Sequence, residues 1–420
     1  MKVGFSGDVL PQTVFPTILG RPKHKGITGQ KDVYIGTEAQ NKKEILDLKY
    51  PIERSIITNW DDMENLWHYI FHEELNIEPE EYIMLLTESP LTPRANREKT
   101  VQIMFETFNI SEVFVGIQAH LFLYANGSTT GLVFDSGDGV SHAVPIFEEY
   151  ILSHAISRFN FAGKDLTNYL IKSLTEKEKE SIRDIKEKFI YIAEDYQSEL
   201  KKSNNIHKNY ELPDGHIITI GSELFQCSEL LFSSNLIETE NKGIHKLVYD
   251  SIMKCDTDIH QSFFNNIILS GGTTMIPNIH TRFIKELTTL VPVNMQVKVI
   301  THPQRKYGAW IGGNIVSHLS TFRDACVTKD EYDESGPEKN LILHSKKRAT
   351  FNNYDFQNSK SIVELLFEFV LFILTFILKV KIIETNKTSF LKTQIQIFYA
   401  FIQTKQKKKL VDPSGVRRTK

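Results

Sequence analysis

The chain has 420 residues and a formal net charge of -3 at neutral pH, a length beyond what one hydrophobic core sustains, so two lobes plus an appendage are expected. Charges of both signs are mixed along the body with no clustered basic stripe, which argues against nucleic acid as a partner. Cys227, Cys255 and Cys326 lie far apart, form no CxxC pair and follow no secretory leader, the usage of reduced thiols in a cytosolic setting.

Met1-Lys2 runs straight into Val3-Gly4-Phe5-Ser6-Gly7-Asp8, which lacks the apolar region of a signal peptide. Beyond it, short apolar runs bounded by Gly, Ser, Thr, Asn or Asp predict buried strands: Ile83 to Leu86, Val113 to Ile117, Leu132 to Phe134 and Ile267 to Leu269. Between them lie amphipathic stretches. Over Ser181 to Leu200 the residues Ile182, Ile185, Phe189, Ile192 and Ala193 recur at helical spacing among charges and predict one half-buried helix. This alternation up to about residue 337 predicts an α/β protein. From Glu338 the rhythm stops. The apolar stretch Ile362 to Ile383 is interrupted by Glu364, Glu368, Lys379 and Lys381, which leaves Phe369 to Leu378, short of the roughly 20 residues a bilayer crossing needs. Membrane contact of the tail is not expected. Its end, with Lys405, Lys407, Lys408, Lys409, Arg417, Arg418 and Lys420, reads as a solvated basic segment.

Two loops carry the chemistry. Phe134-Asp135-Ser136-Gly137-Asp138-Gly139-Val140 joins two apolar runs, and two readings stay open for it. One is a plain Asp-Gly hairpin. In the other, Gly137 and Gly139 let backbone amides converge on an anion while Asp135 and Asp138 hold Mg²⁺ through its waters. Ser270-Gly271-Gly272-Thr273-Thr274-Met275 follows a strand and precedes a helix expected from Pro277 onward; it is either a tight connection or a second close approach to a ligand. No GxxxxGK[ST] occurs, which excludes a P-loop mechanism. His142, on the strand after Val140, is either structural or placed to take a proton from a water.

Read in their surroundings, these loops belong to a chain that resembles actin over Lys2 to Pro337. The segments Lys2 to Pro16, Leu48 to Glu64, Leu85 to Asn109, Gly131 to Pro145, Arg183 to Lys188, Tyr210 to Gly221, Ser251 to Asp256, Leu269 to Pro277 and Arg305 to Gly313 follow actin segments in order. Asn59-Trp60-Asp61-Asp62-Met63-Glu64, Ala95-Asn96-Arg97-Glu98-Lys99 and Glu331-Tyr332-Asp333-Glu334-Ser335-Gly336-Pro337 are the most specific. The resemblance implies the two-lobed fold of actins, chaperone ATPases and sugar kinases, with ATP or ADP and Mg²⁺ (or Ca²⁺) between the lobes. It implies a first lobe over 1–125 and 308–337, with an outer subdomain at about 17–50, and a second over 126–307, with an outer subdomain at about 162–239. The segment 338–420 is an atypical tail.

By the same resemblance, Asp138, Gly139 and Val140 match the second phosphate loop and Asp135 the carboxylate that holds the metal through water. Gln118 matches the glutamine that orients the attacking water, and His142 the histidine that assists it. Lys186, Glu187, Gly163, Gly272, Thr273, Met275 and Lys306 match residues around the nucleotide, and Lys2 a lysine that meets the phosphates. Tyr124, Gly127 and Phe322 match a groove used by actin-binding proteins, and Tyr150 a contact with a neighbouring subunit. The implied function is a cytoskeletal, cytoplasmic ATPase that joins filaments of actin subunits; the alternative is an actin-related scaffold subunit with weak or no turnover. A metabolic phosphotransferase would need an acceptor-site carboxylate, for which there is no motif.

The chain departs from the family in four places. The family's opening strand and Asp-x-Gly-Ser-Gly loop have no counterpart, which would remove phosphate contacts worth about 1.5 to 3 kcal/mol each. The regions around Lys23 to Gln30 and Thr175 to Ser181 are shortened. Arg54 stands where the family has a histidine, Ile276 where it has an aromatic, and the tail has no counterpart.

Overall fold

Short β-branched and aromatic runs form the strands, and the longer amphipathic stretches form the helices. This computed structural model describes residues 1–336, apart from 25–30, 175–178, 203–205, 213, 214, 216 and 234–242, and gives no side chains at 179 and 180. The chain divides into two units, Met1–Asn358 and Ser359–Lys420. The expected tail 338–420 lies outside the described residues, as do most of the loop to Gln30 and of the segment after Thr175.

The strands are β1 (Lys2–Val3), β2 (Thr13–Val14), β3 (Leu19–Pro22), β4 (Tyr34–Ile35), β5 (Leu46–Lys49), β6 (Ile52–Glu53), β7 (Ile56–Ile57), β8 (Ile83–Glu88), β9 (Glu112–Ile117), β10 (Gly131–Ser136), β11 (Ser141–Phe147), β12 (Tyr150–Ile151), β13 (Ser157–Phe159), β14 (Lys208–Glu211), β15 (Ile217–Ile220), β16 (Ile267–Ser270), β17 (Val299–Thr301) and β18 (Val327–Thr328). The helices are α1 (Gly36–Asn41), α2 (Trp60–Tyr69), α3 (Arg94–Glu106), α4 (Gln118–Ala125), α5 (Gly163–Leu174), α6 (Lys179–Phe189), α7 (Tyr196–Lys201), α8 (Glu223–Glu229), α9 (Ile244–Met253), α10 (His260–Phe264), α11 (Ile279–Thr288), α12 (Gly308–Ser317) and α13 (Phe322–Ala325).

Two cores form from different stretches of chain. One gathers Met63, Leu66, Phe71, Met104, Phe105, Val113 and Val115, with Val327 and Tyr332 returning to it from the end of the body. Its sheet has the order β18-β9-β8, with β8 and β9 parallel. The other core gathers Leu132, Phe134, Ile185, Leu224, Phe264, Leu269 and Phe283 around the sheet β12-β11-β10-β16-β17. There β10 runs antiparallel to β11 and parallel to β16. Ile18, Tyr34, Ala39 and Leu46 make a small separate cluster under β3, β4 and β5. This is the mixed α/β, two-lobed fold expected from the sequence.

Helix α4 lies at the junction. It leaves the end of β9, while Ala119, Phe122 and Leu123 pack on Val133, Val144, Ile146 and Ile268 of the second sheet. Helix α12 packs against α4 with glycines at the contact. A Cβ on Gly312 would stand 1.7 Å from the Leu121 carbonyl oxygen, and one on Gly308 1.7 Å from the Phe122 ring. No helix among the described residues is long and apolar enough to cross a membrane.

Two expectations are corrected. The run Ile83 to Leu86 is a strand, but β8 pairs only with β9 among the described residues, so Ile83 is 38% exposed and Met84 to Leu86 are half-buried. The helix expected over Ser181 to Leu200 breaks after Phe189 and resumes as α7. Tertiary partners capture the backbone between them: Tyr191 N–H donates to the Leu224 carbonyl, Ile192 N–H to that of Pro277, and the Arg282 guanidinium to that of Ala193. Ile190 and Ile192 therefore enter the core from an extended segment.

Candidate functional site

The turn between β10 and β11 is held from one side. The Gly137 carbonyl accepts from the Thr273 hydroxyl at 2.6 Å and from Gly163 N–H at 3.2 Å. The Asp138 carbonyl accepts from Lys164 N–H at 2.7 Å, and the Gly139 carbonyl from Arg54 Nη1 at 2.6 Å. Three successive carbonyls are thus fixed against the protein. The amides of Asp138 and Gly139 find no acceptor among the described residues, which leaves two adjacent donors for an anion.

The two glycine loops, more than a hundred residues apart, meet because β10 and β16 are parallel with Asp135 beside Ser270. Both lie past the carboxyl ends of these strands, where open α/β sheets bind ligands. Gly271 takes φ +90°, and a Cβ there would sit 2.2 Å from the Ser136 carbonyl oxygen, so only glycine lets the second loop close on the first. Beside it Gly272 is open, with nothing within 4 Å of a Cβ position.

Asp135 and His142 are partners across the β10–β11 register and so share one face of the sheet. Val133 and Val144, two residues away on the same strands, place that face under α4. Burial raises the Asp135 carboxyl above its ordinary range, opposed by the Ser270 hydroxyl and the Lys2 ammonium. Burial lowers the Lys2 ammonium, opposed by Asp135 and reinforced by Lys306. Lys2 also donates to the Lys306 carbonyl and stands 5.4 Å from the centre of the Tyr307 ring. His142 is fully buried, and neither ring nitrogen has a hydrogen-bond partner among the described residues. Burial, then the charge of Arg158, lowers it to about 4, so it is neutral at pH 7.

Lys186 reaches from α6 to the Gly163 carbonyl at 2.9 Å; burial lowers its ammonium and Asp138 opposes that. Glu187, Lys306, Gly272 and Met275 are exposed, with Met275 at the end of the second loop. Val140 is buried where β11 begins. Gln118 opens α4, with its amide donating to the Thr87 hydroxyl at 3.3 Å. One carboxylate under the turn and one on it, with Lys2 and Lys186 each beside one of them, form a donor set of hard oxygens and cations that fits a phosphate chain with Mg²⁺.

A second layer was not legible in the sequence. Arg54 pairs with Asp165 through both guanidinium nitrogens at 2.7 and 2.9 Å while it holds Gly139. Arg158 returns the contact by donating to the Arg54 carbonyl at 2.8 Å. Arg54 stands out in the sequence only as a departure from the family's histidine. Asp165 carries just the polar residue expected in a first helical turn.

Two cores joined through α4 and α12, with paired glycine loops at the carboxyl ends of parallel strands, define a two-lobed α/β protein whose first loop presents free amides to an anionic ligand. The actin family model matches residues 1–180 and 175–347, and the chain belongs to the actin family.

Proposed function

We propose that the chain binds ATP or ADP with Mg²⁺ between its lobes and associates with other actin subunits, hydrolysing ATP slowly as it assembles in the cytoplasmic cytoskeleton. The observation that carries this reading is the pinned turn, whose carbonyls are all taken and whose Asp138 and Gly139 amides are free. When bound, the nucleotide supplies the terminal phosphoryl group and the cation neutralises charge on it. Asp138, Gly139 and Val140 cradle the phosphates, and Lys2 meets them from the first lobe. Asp135 holds the cation through its waters. Gln118 orients the attacking water, and His142, kept neutral, accepts a hydrogen bond from it. Gly163, Lys186, Glu187, Gly272, Thr273, Met275 and Lys306 line the nucleoside. The lobes are taken as 1–125 with 308–337 and 126–307.

Titration of the purified chain with ATP, with and without Mg²⁺, together with sedimentation, tests the proposal. Divalent-dependent binding and nucleotide-dependent pelleting are expected. Absence of both would leave the scaffold reading.

A further inference from the structure

Helix α2 buries Met63, Leu66 and Trp67 and continues into a single π turn, Ile70–Glu74, that buries Ile70 and Phe71 in the same core. The turn is closed by Leu75 N–H donating to the Ile70 carbonyl at 2.9 Å. The π turn ends the helix, as such turns do at helix C-termini. With the apolar stripe facing inward, His68 and His72 emerge together on the exposed face. Their ring centres are 4.2 Å apart, with the planes at 47°.

Neither of these rings has a hydrogen bond or an ion pair among the described residues, and this separates the pair from the other bonded histidines. His260 is tied to the Cys255 carbonyl, His280 to that of Val299, and His318 to that of Asn314. At His68 and His72 two imidazoles stand in contact, open to solvent, with their nitrogen lone pairs unused. Histidines at positions i and i+4 on one helix face can bind one metal ion through both rings. The 4.2 Å ring separation lets each ring bring a nitrogen to the 2.0–2.1 Å that a metal–imidazole bond takes, after a small side-chain rotation.

We propose that His68 and His72 form a chelate for one divalent first-row transition ion. Two imidazoles suit Cu²⁺, Ni²⁺ and Zn²⁺ over Mg²⁺ or Ca²⁺, and Cu²⁺ binds tightest. No group of three or more metal-ligating side chains occurs among the described residues, so water fills the remaining positions and the site is open and exchangeable. The bound ion links the last turn of α2 to the π turn and stabilises that junction. This site is independent of the nucleotide reading.

The test is titration of the full chain with Cu²⁺ and with Zn²⁺ by calorimetry, with electron paramagnetic resonance of the Cu²⁺ form. One site per chain is expected, with two nitrogen donors in the spectrum. His68→Gln and His72→Gln should each weaken it by at least the 10- to 100-fold that losing an outer-shell partner costs, and the double variant should abolish it. His154→Gln, at an exposed histidine elsewhere, should change nothing. Both target side chains are exposed, so unchanged circular dichroism should accompany these losses. Unaltered affinity and stoichiometry in the double variant, or a spectrum with a single nitrogen donor, would overturn the proposal.

Discussion

His142 carries the clearest pH signature of any single residue here. Its folded value of about 4 lies below the ordinary 6.5, so the fold favours the neutral ring. The associated stability is present above pH 6.5 and is lost as pH falls from there through 4. At roughly 1.4 kcal/mol per unit, the part lost by pH 5 is about 2 kcal/mol. His245, lowered to about 4 by burial, adds to the same acid weakness. In His142→Gln, which cannot ionise, the stability difference between pH 7 and pH 5 should shrink by about 2 kcal/mol, read from urea unfolding at both pH values. Arg54 makes a different kind of contribution. Its side chain is partly exposed, so its pair with Asp165 is worth about 1 kcal/mol. The larger consequence of Arg54→Ala is a Gly139 carbonyl without its donor. Nucleotide release, followed with a fluorescent ATP analogue, should speed up roughly fivefold. Arg54→Lys should recover little of this, since a single ammonium cannot make the two parallel bonds to Asp165.

At the level of elements, the contact between α4 and α12 leaves no room for side chains. Gly312→Ala drives a Cβ into the Leu121 carbonyl, a backbone atom that cannot turn aside, and should cost about 1–3 kcal/mol in thermal unfolding. Gly272→Ala is the contrast. Its Cβ meets nothing, so stability should stay within about 0.5 kcal/mol while ATP affinity falls, because the added methyl occupies the open space beside the loop where the proposed ligand would lie. How much of these elements the sequence made legible follows from where their stabilising partners lie. The runs that became β9, β10 and β16 are apolar within themselves and bounded by turn residues, so they could be read locally. The Asp-Gly turn was legible as a hairpin for the same reason. The break between α6 and α7 was not, because the groups that end the helix belong to Leu224, Pro277 and Arg282. Nor was the half-exposure of β8, which depends on what pairs with its second edge and not on its own residues. At the candidate site, the loop residues were found through motif and resemblance. Their anchors come from three places, Arg54 between β6 and β7, Arg158 in β13 and Lys164 with Asp165 in the first turn of α5, and left no local pattern.

In the whole molecule, the two cores share no side chain among the described residues, and the structures that join them include α4, α12, the Arg54 hairpin and the contact of Lys2 with the Lys306 carbonyl. Each core can therefore lose its packing with limited cost to the other, and unfolding of the ligand-free chain should appear in calorimetry as two overlapping transitions rather than one. On the proposed binding mode, a ligand gripped by Lys2 from the first lobe and by the Asp138 turn from the second would change this, because it would bind only while both lobes are intact. At a concentration about a hundredfold above its dissociation constant it stabilises the folded form by about 2.7 kcal/mol. For each transition it controls, that corresponds to a rise of about 5–10 °C. ATP with Mg²⁺ should raise the lower transition most and merge the two. If only the transition of the second core moved, the ligand would be resting on the Asp138 turn without bridging the lobes. If both rose together while Lys2→Ala kept them apart, the lysine would be identified as the first lobe's share of the grip.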